Sequence, residues 1–309
     1  MATISGSARR RSTRPKRSGP KRRSATTDDP AGIPRQSRPR RRLGQHFLEP
    51  AWVRKVVDVV APTPEQVLLE IGPGRGALTF ALANHAGRLL AVELDENLVR
   101  RLKAGAPANV EIRHADFLQL DLRETTASLR RGAGGRAANS LRVVGNLPYG
   151  ISAPILLRLL RHALAAGIRD AVVMLQREVA ERVVAGAGSR AYGPLAVMSA
   201  LHADTRWMLD VPPGAFRPAP RVRSAVVSLN FRDPVRAPVD AAGFELLVRR
   251  LFTRRRKQVV NALAAFNSSP GFDPLSVCRA AGLCPTRRPG ALDLPELIDL
   301  SDVLAAMPD

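Results

Sequence analysis

Apolar residues in this chain gather in short runs, and the runs alternate with stretches of helical spacing. Val67-Leu68-Leu69-Glu70-Ile71, Leu89-Leu90-Ala91-Val92, Val110-Glu111-Ile112-Arg113 and Leu141-Arg142-Val143-Val144-Gly145 each read as a strand. Near-continuous apolar runs of that length suit parallel strands buried on both faces. Before the first, Trp52, Val53, Val56, Val57 and Val60 recur at helical spacing and predict a helix over 51–60. A second helix is expected over 77–85. The segment 123–140 ends loop-like, because Arg130-Arg131-Gly132-Ala133-Gly134-Gly135 breaks a helix. Then come a helix over 151–166, with Ser152 as N-cap and Pro154 in its first turn, a buried strand over 171–175 and a helix over 176–185. A mobile loop is expected over 186–193, and 195–211 and 224–231 read as two or three strands that finish the sheet. From 239 onward strand signals stop, and helical stretches over 241–252, 255–265, 274–281 and 294–305 follow. The fold class is α/β: a Rossmann-like sheet over 42–235, then a small all-α domain over 236–309.

Composition adds a tail. Of 309 residues, the first 42 hold 14 of the 48 Lys and Arg but only Asp28 and Asp29 of the 27 acids, a surplus of +12 that leaves +9 for the rest. Rich in Ser, Pro and Gly and almost without large apolar residues, segment 1–41 buries too little to offset ordering entropy and is expected to be disordered. An RNA-grasping arm is the preferred reading over an organelle transit peptide, because the amphipathic stripe of such a peptide is missing. The folded part is basic too, with Arg249, Arg250, Arg254, Arg255, Arg256 and Lys257 concentrated on the helical part, which becomes the candidate for choosing an RNA site. Cys278 and Cys284 are too few for a zinc site and read as free thiols. No metal is expected, and no run reaches the length of a membrane span. A cytoplasmic monomer without membrane contact is the expectation.

Candidate chemistry falls at four strand ends, where open α/β sheets bind ligands. Gly72-Pro73-Gly74-Arg75-Gly76 follows the first strand, and a Gly-rich turn lets a ligand approach backbone closely. Its G-x-G-x-G spacing departs from that of dinucleotide sites, which disfavours an NAD-dependent enzyme. Glu93, after the second strand, stands 21 residues beyond Gly72, a distance suited to holding a ribose diol. Asp116, after the third, is placed to accept from an adenine amino group, with Phe117 or a neighbour packing the ring. Asn146-Leu147-Pro148-Tyr149 follows the fourth. The Asn146 oxygen and the Leu147 carbonyl, in a turn stiffened by Pro148, form a station for the two N–H groups of an exocyclic amine, while Tyr149 offers a face for stacking a base. Phe216, after the rigid Pro212-Pro213-Gly214-Ala215 turn, is weighed evenly as a second base wall and as ordinary core. An adenosine-bearing cofactor that delivers an electrophile to an amine is S-adenosylmethionine, so the reading is a methyltransferase.

The chain also resembles a known family, the KsgA/RsmA small-subunit rRNA adenine dimethyltransferases, from about residue 42 to about 265. The resemblance rests on L-G-Q-H-F-L (43–48), E-I-G-P-G-R-G (70–76), V-E-L-D (92–95), D-F-L (116–118), G-N-L-P-Y (145–149), L-Q-R-E-V-A-E-R (175–182), G-S-R-A-Y-G (188–193), V-P-P-G-A-F-R-P-A-P-R-V (211–222) and R-R-K-Q-V-V-N-A-L (255–263). It implies four methyl transfers onto two adjacent adenines near the 3′ end of small-subunit rRNA, on naked RNA or in a preassembled subunit. By position it implies cofactor contacts at His46, Leu48, Gly72, Glu93, Asp116 and Asn146, with Asn146 and Tyr149 also holding the target base. His46 and Gly150 stand where many relatives have Asn, and Gly150 is expected to loosen the turn. The closest rival is the sister family that methylates large-subunit rRNA and confers macrolide resistance. Leu147, the 188–193 loop and the 255–263 helix look instead like the small-subunit enzymes. A non-catalytic assembly factor on a relict fold is a further alternative, opposed by intact Gly72, Glu93, Asp116 and Asn146.

Overall fold

The computed structural model describes residues 46–131, 141–264 and 272–307. The basic tail and the Gly-rich end of the 123–140 segment lie outside the described residues. In chain order the elements are β1 (Phe47–Leu48), α1 (Pro50–Val60), β2 (Val67–Ile71), α2 (Ala77–Ala83), β3 (Arg88–Glu93), α3 (Glu96–Gly105), β4 (Val110–His114), α4 (Leu122–Arg131), β5 (Leu141–Asn146) and α5 (Ser152–His162). They continue with β6 (Ile168–Gln176), α6 (Arg177–Val183), α7 (Pro194–His202), β7 (Ala203–Val211), β8 (Phe216–Arg217), β9 (Ser224–Phe231), α8 (Ala241–Thr253), α9 (Val259–Ala264), α10 (Pro274–Ala280) and α11 (Leu294–Ala305).

The main sheet has seven strands in the order β4-β3-β2-β5-β6-β9-β7. Strands β2 to β6 are parallel, while β9 runs antiparallel to both β6 and β7. The chain moves outward from β2 through β3 to β4 and then returns to β5 on the other side of β2. The strand order therefore reverses between β2 and β5, the point where sheets of this kind open a ligand crevice. Gly145 lets the two strands meet there: a Cβ on it would stand 2.6 Å from the Ile71 carbonyl oxygen.

Side chains alternate between two buried layers, as the two-residue period of a strand requires. Leu68, Leu89, Ala91, Val144 and Met174 pack with α1, α2 and α3, whereas Leu69, Leu90, Val143, Val173 and Val227 pack on the opposite face with α5 and α7. That second layer continues without interruption through Phe244, Leu247, Leu251, Leu263 and Leu297 of the C-terminal helices. The described residues accordingly belong to one compact unit, and their core runs past the boundary expected near 235.

Four sequence expectations are corrected. Residues 195–202 are helix α7 rather than strand. Ala196, Val197, Met198, Ser199 and Leu201 are all buried, so the segment carries no one-sided stripe, and Pro194 sets its first turn. Ser152 is the first helical residue of α5 and Ile151 its cap, one position earlier than expected. The helix expected from 255 starts at Val259, because the N–H groups of Val259 and Val260 are taken by the carbonyls of Arg287 and Pro285. Arg254 to Lys257 instead form an exposed turn closed by Lys257 N–H to Arg254 O. Loop 186–193 is fastened rather than loose: Gly188 N–H donates to Gly290 O, Arg255 Nη1 donates to Arg190 O, and Tyr192 is buried.

Candidate active site

A cavity of about 270 Å³ opens at the β2/β5 reversal, near the lower end of the ~300–1,000 Å³ common for ligand sites. Its walls come from four parts of the chain: His46, Phe47 and Leu48; Glu70 with the glycine loop to Leu78; Glu93; and Asn146 to Gly150. Of the site residues expected from the sequence, the fold brings His46, Leu48, Gly72, Glu93, Asn146, Leu147, Pro148 and Tyr149 to this cavity.

The glycine loop carries its own geometry. Gly72 and Gly74 have φ of +69° and +59°, a region that side chains other than glycine rarely adopt. Glu93 holds the loop in place: Oε2 accepts from Gly74 N–H at 3.1 Å, and Oε1 accepts from Leu94 and Asp95 N–H at 2.9 and 3.0 Å. A carboxylate has about four acceptor positions, so after these three bonds Glu93 keeps capacity at Oε2 for a ligand hydroxyl.

Asn146 ends β5, and its Nδ2 donates to the His46 carbonyl at 3.4 Å. Its Oδ1 is buried without a hydrogen-bond partner among the described residues. Buried amide oxygens nearly always have a partner, so an orphan on a cavity wall marks an acceptor for something that enters. Leu147 anchors the turn by burying its side chain in the core while its N–H donates to Met174 O at 3.1 Å. Ile151 N–H closes the turn onto Pro148 O across Gly150. A Cβ at Gly150 would meet nothing within 4 Å.

The Tyr149 ring stacks on the His46 ring at 5.8 Å between centroids and 27° between planes. Its hydroxyl shares a 2.7 Å hydrogen bond with Ser224 Oγ, and burial pushes the phenol pKa upward. His46 Nδ1 bonds the Pro218 carbonyl at 2.8 Å, while Phe47 packs under the Arg75 guanidinium at 4.0 Å. The short β1–β8 ribbon holds this wall, with Leu48 opposite Phe216.

Two expected residues stand elsewhere. Phe216 is fully buried in the α1–α3 layer and does not line the cavity, so its role here is the ordinary core packing weighed against a base wall. The ring facing Tyr149 is His46 instead. Asp116 also lies outside the cavity lining; its carboxylate accepts from Leu118 N–H at 2.9 Å and Gln119 Nε2 at 3.2 Å, as turn acids do. Phe117 beside it belongs to the core.

One residue escaped the sequence reading of roles. Glu70 lies in β2 facing the α1–α3 layer, is 1% exposed, and has Oε2 without a hydrogen-bond partner at the cavity floor. Burial, with a smaller push from Glu93, raises its pKa to about 7, and the nearby Thr79 hydroxyl offsets only part of this. The signal was present: an acid inside a strand buried on both faces is rare unless paired.

The sequence pattern described as ribosomal RNA adenine dimethylase matches residues 36–270. The ribosomal RNA small subunit methyltransferase A of Xanthomonas axonopodis pv. citri is 41% identical over 265 residues, covering 84% of this chain and 94% of that protein. Its counterpart in Xanthomonas euvesicatoria pv. vesicatoria is 40% identical with the same coverage. Among solved structures, a dimethyladenosine transferase from Plasmodium falciparum has a TM-score of 0.63 at 22% identity, covering 82% of this chain and 96% of that one. The 23S rRNA methyltransferase ErmE has a TM-score of 0.58 at 24% identity, covering 84% and 99%. At under 25% identity these two show the shared fold alone. With the family pattern spanning both the sheet and the first C-terminal helices, this chain belongs to the ribosomal RNA adenine dimethylase family and is a methyltransferase.

Proposed function

We propose that the protein transfers methyl groups from S-adenosylmethionine to N6 of two adjacent adenosines near the 3′ end of small-subunit rRNA, giving N6,N6-dimethyladenosine. The observation that carries this reading is the orphaned Asn146 Oδ1 on the cavity wall, beside the Tyr149 ring. The lone pair of adenine N6 is spread into the ring, which makes the amine a poor nucleophile. Asn146 Oδ1 and the Leu147 carbonyl, each accepting one N–H, draw that lone pair back onto nitrogen and aim it. Tyr149 supports the extruded base.

The residues present fit the cofactor. When bound, S-adenosylmethionine supplies an electrophilic methyl on a sulfonium. Glu93 has one acceptor position left for the ribose, and the glycine loop allows close approach of backbone. The unpartnered Glu70 Oε2 suits the cationic end, and His46 and Leu48 close the near side. Asp116, outside the cavity lining, would hold the adenine amino group of the cofactor. The proton of the alkylated amine passes to solvent, because Tyr149 is tied to Ser224 and no base is required for so acidic a group. The partner is small-subunit rRNA in a preassembled subunit, met by a cytoplasmic monomer, with the exposed Arg254–Lys257 turn contacting the phosphate backbone.

The test incubates the purified protein with labelled S-adenosylmethionine and unmethylated small or large ribosomal subunits, then maps modified adenines by primer extension. Dimethyladenosine in adjacent small-subunit positions is the expected result. Label in large-subunit RNA overturns the target assignment, and no cofactor binding by calorimetry overturns the enzyme.

A further inference from the structure

The hydroxyl of Tyr149 has a partner that the Asn146–Tyr149 motif does not call for. Ser224 is the first residue of β9 and is completely buried. It is held between two neighbours in the sheet, opposite Gln176 of β6 and Val211 of β7. Its Oγ lies 2.7 Å from the Tyr149 oxygen, and no other side-chain partner competes for it among the described residues. Buried and paired on both sides, its backbone gives the hydroxyl a fixed base.

The same segment touches the site a second time. Pro218, six residues before Ser224, offers its carbonyl to His46 Nδ1 at 2.8 Å. His46 in turn stacks on Tyr149 and accepts from Asn146 Nδ2 through its carbonyl. The β8–β9 segment therefore ties down both rings of the site, one through a carbonyl and one through a hydroxyl.

We propose that Ser224 is a positioning residue for methyl transfer: by holding the Tyr149 hydroxyl it fixes the outer end of the ring on which the target adenine rests. The inference rests on Tyr149 supporting the base. It assigns the phenol oxygen to tethering and not to proton transfer. A phenylalanine would stack a base as well as tyrosine but would be free to tilt, and a small tilt at a reacting centre is expensive.

The test is a cycle of Tyr149→Phe, Ser224→Ala and the double variant, with Tyr149→Ala as a separate arm, assayed on unmethylated small subunits under saturating S-adenosylmethionine. Each single variant is expected to lose about three- to tenfold in kcat, the range for one hydrogen bond that orients a reactant. The double variant should lose no more than either single one, and cofactor affinity by calorimetry should stay unchanged, which also reports an intact fold. Turnover that is additive in the double variant, or wild-type turnover in both single variants while Tyr149→Ala is impaired, overturns the tether. Wild-type turnover in Tyr149→Ala overturns the base-stacking reading beneath it. Replacing the target adenine with 2-aminopurine gives a second readout. Its fluorescence should be quenched by the intact protein and less so by Ser224→Ala; equal quenching counts against the proposal.

Discussion

Replacing Glu70 by Gln tests the electrostatics of the cavity floor without changing shape. Burial raises the carboxyl from its usual 4.5 to about 7. Each pKa unit corresponds to about 1.36 kcal/mol, so ionised Glu70 costs the fold roughly 3 kcal/mol. The sign follows from the direction of the shift. Below the unfolded value the group is neutral in both states and costs nothing extra. Between 4.5 and about 7 the unfolded chain releases its proton first, so stability falls with rising pH, and above that window the penalty is constant. Glutamine never ionises, so the variant should gain on wild type by roughly 2 to 3 kcal/mol between about pH 5 and about pH 8.5 in urea unfolding. A difference between the two proteins that does not change with pH would refute the reasoning. Cofactor binding supplies an independent check. A cationic group beside Oε2 favours the carboxylate, so wild-type affinity should rise as pH climbs toward 7, by up to about tenfold per unit, while the Gln variant is weaker and flat. Parallel profiles would remove Glu70 from the cofactor site.

Other residues give shorter tests. Asn146→Ala should lower kcat on the order of 10²-fold and cofactor affinity far less, the pattern for a group that acts on the reacting amine; near-normal turnover in a single-turnover assay counts against it. Glu93→Ala removes both the ligand acceptor and the clamp on Gly74, and calorimetry should show cofactor affinity reduced by roughly tenfold or more, with unchanged affinity excluding Glu93 from the site. Gly145→Ala drives a Cβ to 2.6 Å from the Ile71 carbonyl oxygen, and a loss of about 1 to 3 kcal/mol should appear as a lower Tm; an unshifted Tm would mean that β2 and β5 separate freely. Changing Arg254, Arg256 and Lys257 to Gln should weaken subunit binding and flatten its salt dependence by close to one slope unit per lost phosphate contact, whereas an unaltered slope places the RNA elsewhere.

The fold was legible where burial is two-sided or one-sided in a regular way. Strands β2, β3 and β5 announce themselves because both faces are covered, so their apolar runs are nearly continuous. Helix α7 did not, because it is surrounded on nearly all sides and loses the stripe that marks a helix. Three of the four strand-end motifs, the glycine loop, Glu93 and Asn146 to Tyr149, line one cavity because glycine, proline and acids mark where strands stop, whereas Asp116 closes a turn outside it. The rest of the site depends on contacts between residues far apart in the chain. Ser224 meets Tyr149 across 75 positions, and Asn146 meets the His46 carbonyl across 100. No local pattern encodes such pairs; they arise because β9 returns antiparallel beside β6 and brings its first residue to the carboxyl end of the parallel strands. The same return explains Phe216. An aromatic after a proline turn reads equally as wall or core until the β1–β8 ribbon fixes its register opposite Leu48, and that register turns the ring inward. The parallel strands thus bring the cavity-lining residues together, and the antiparallel end of the sheet, with its connecting segment, sets how they are held.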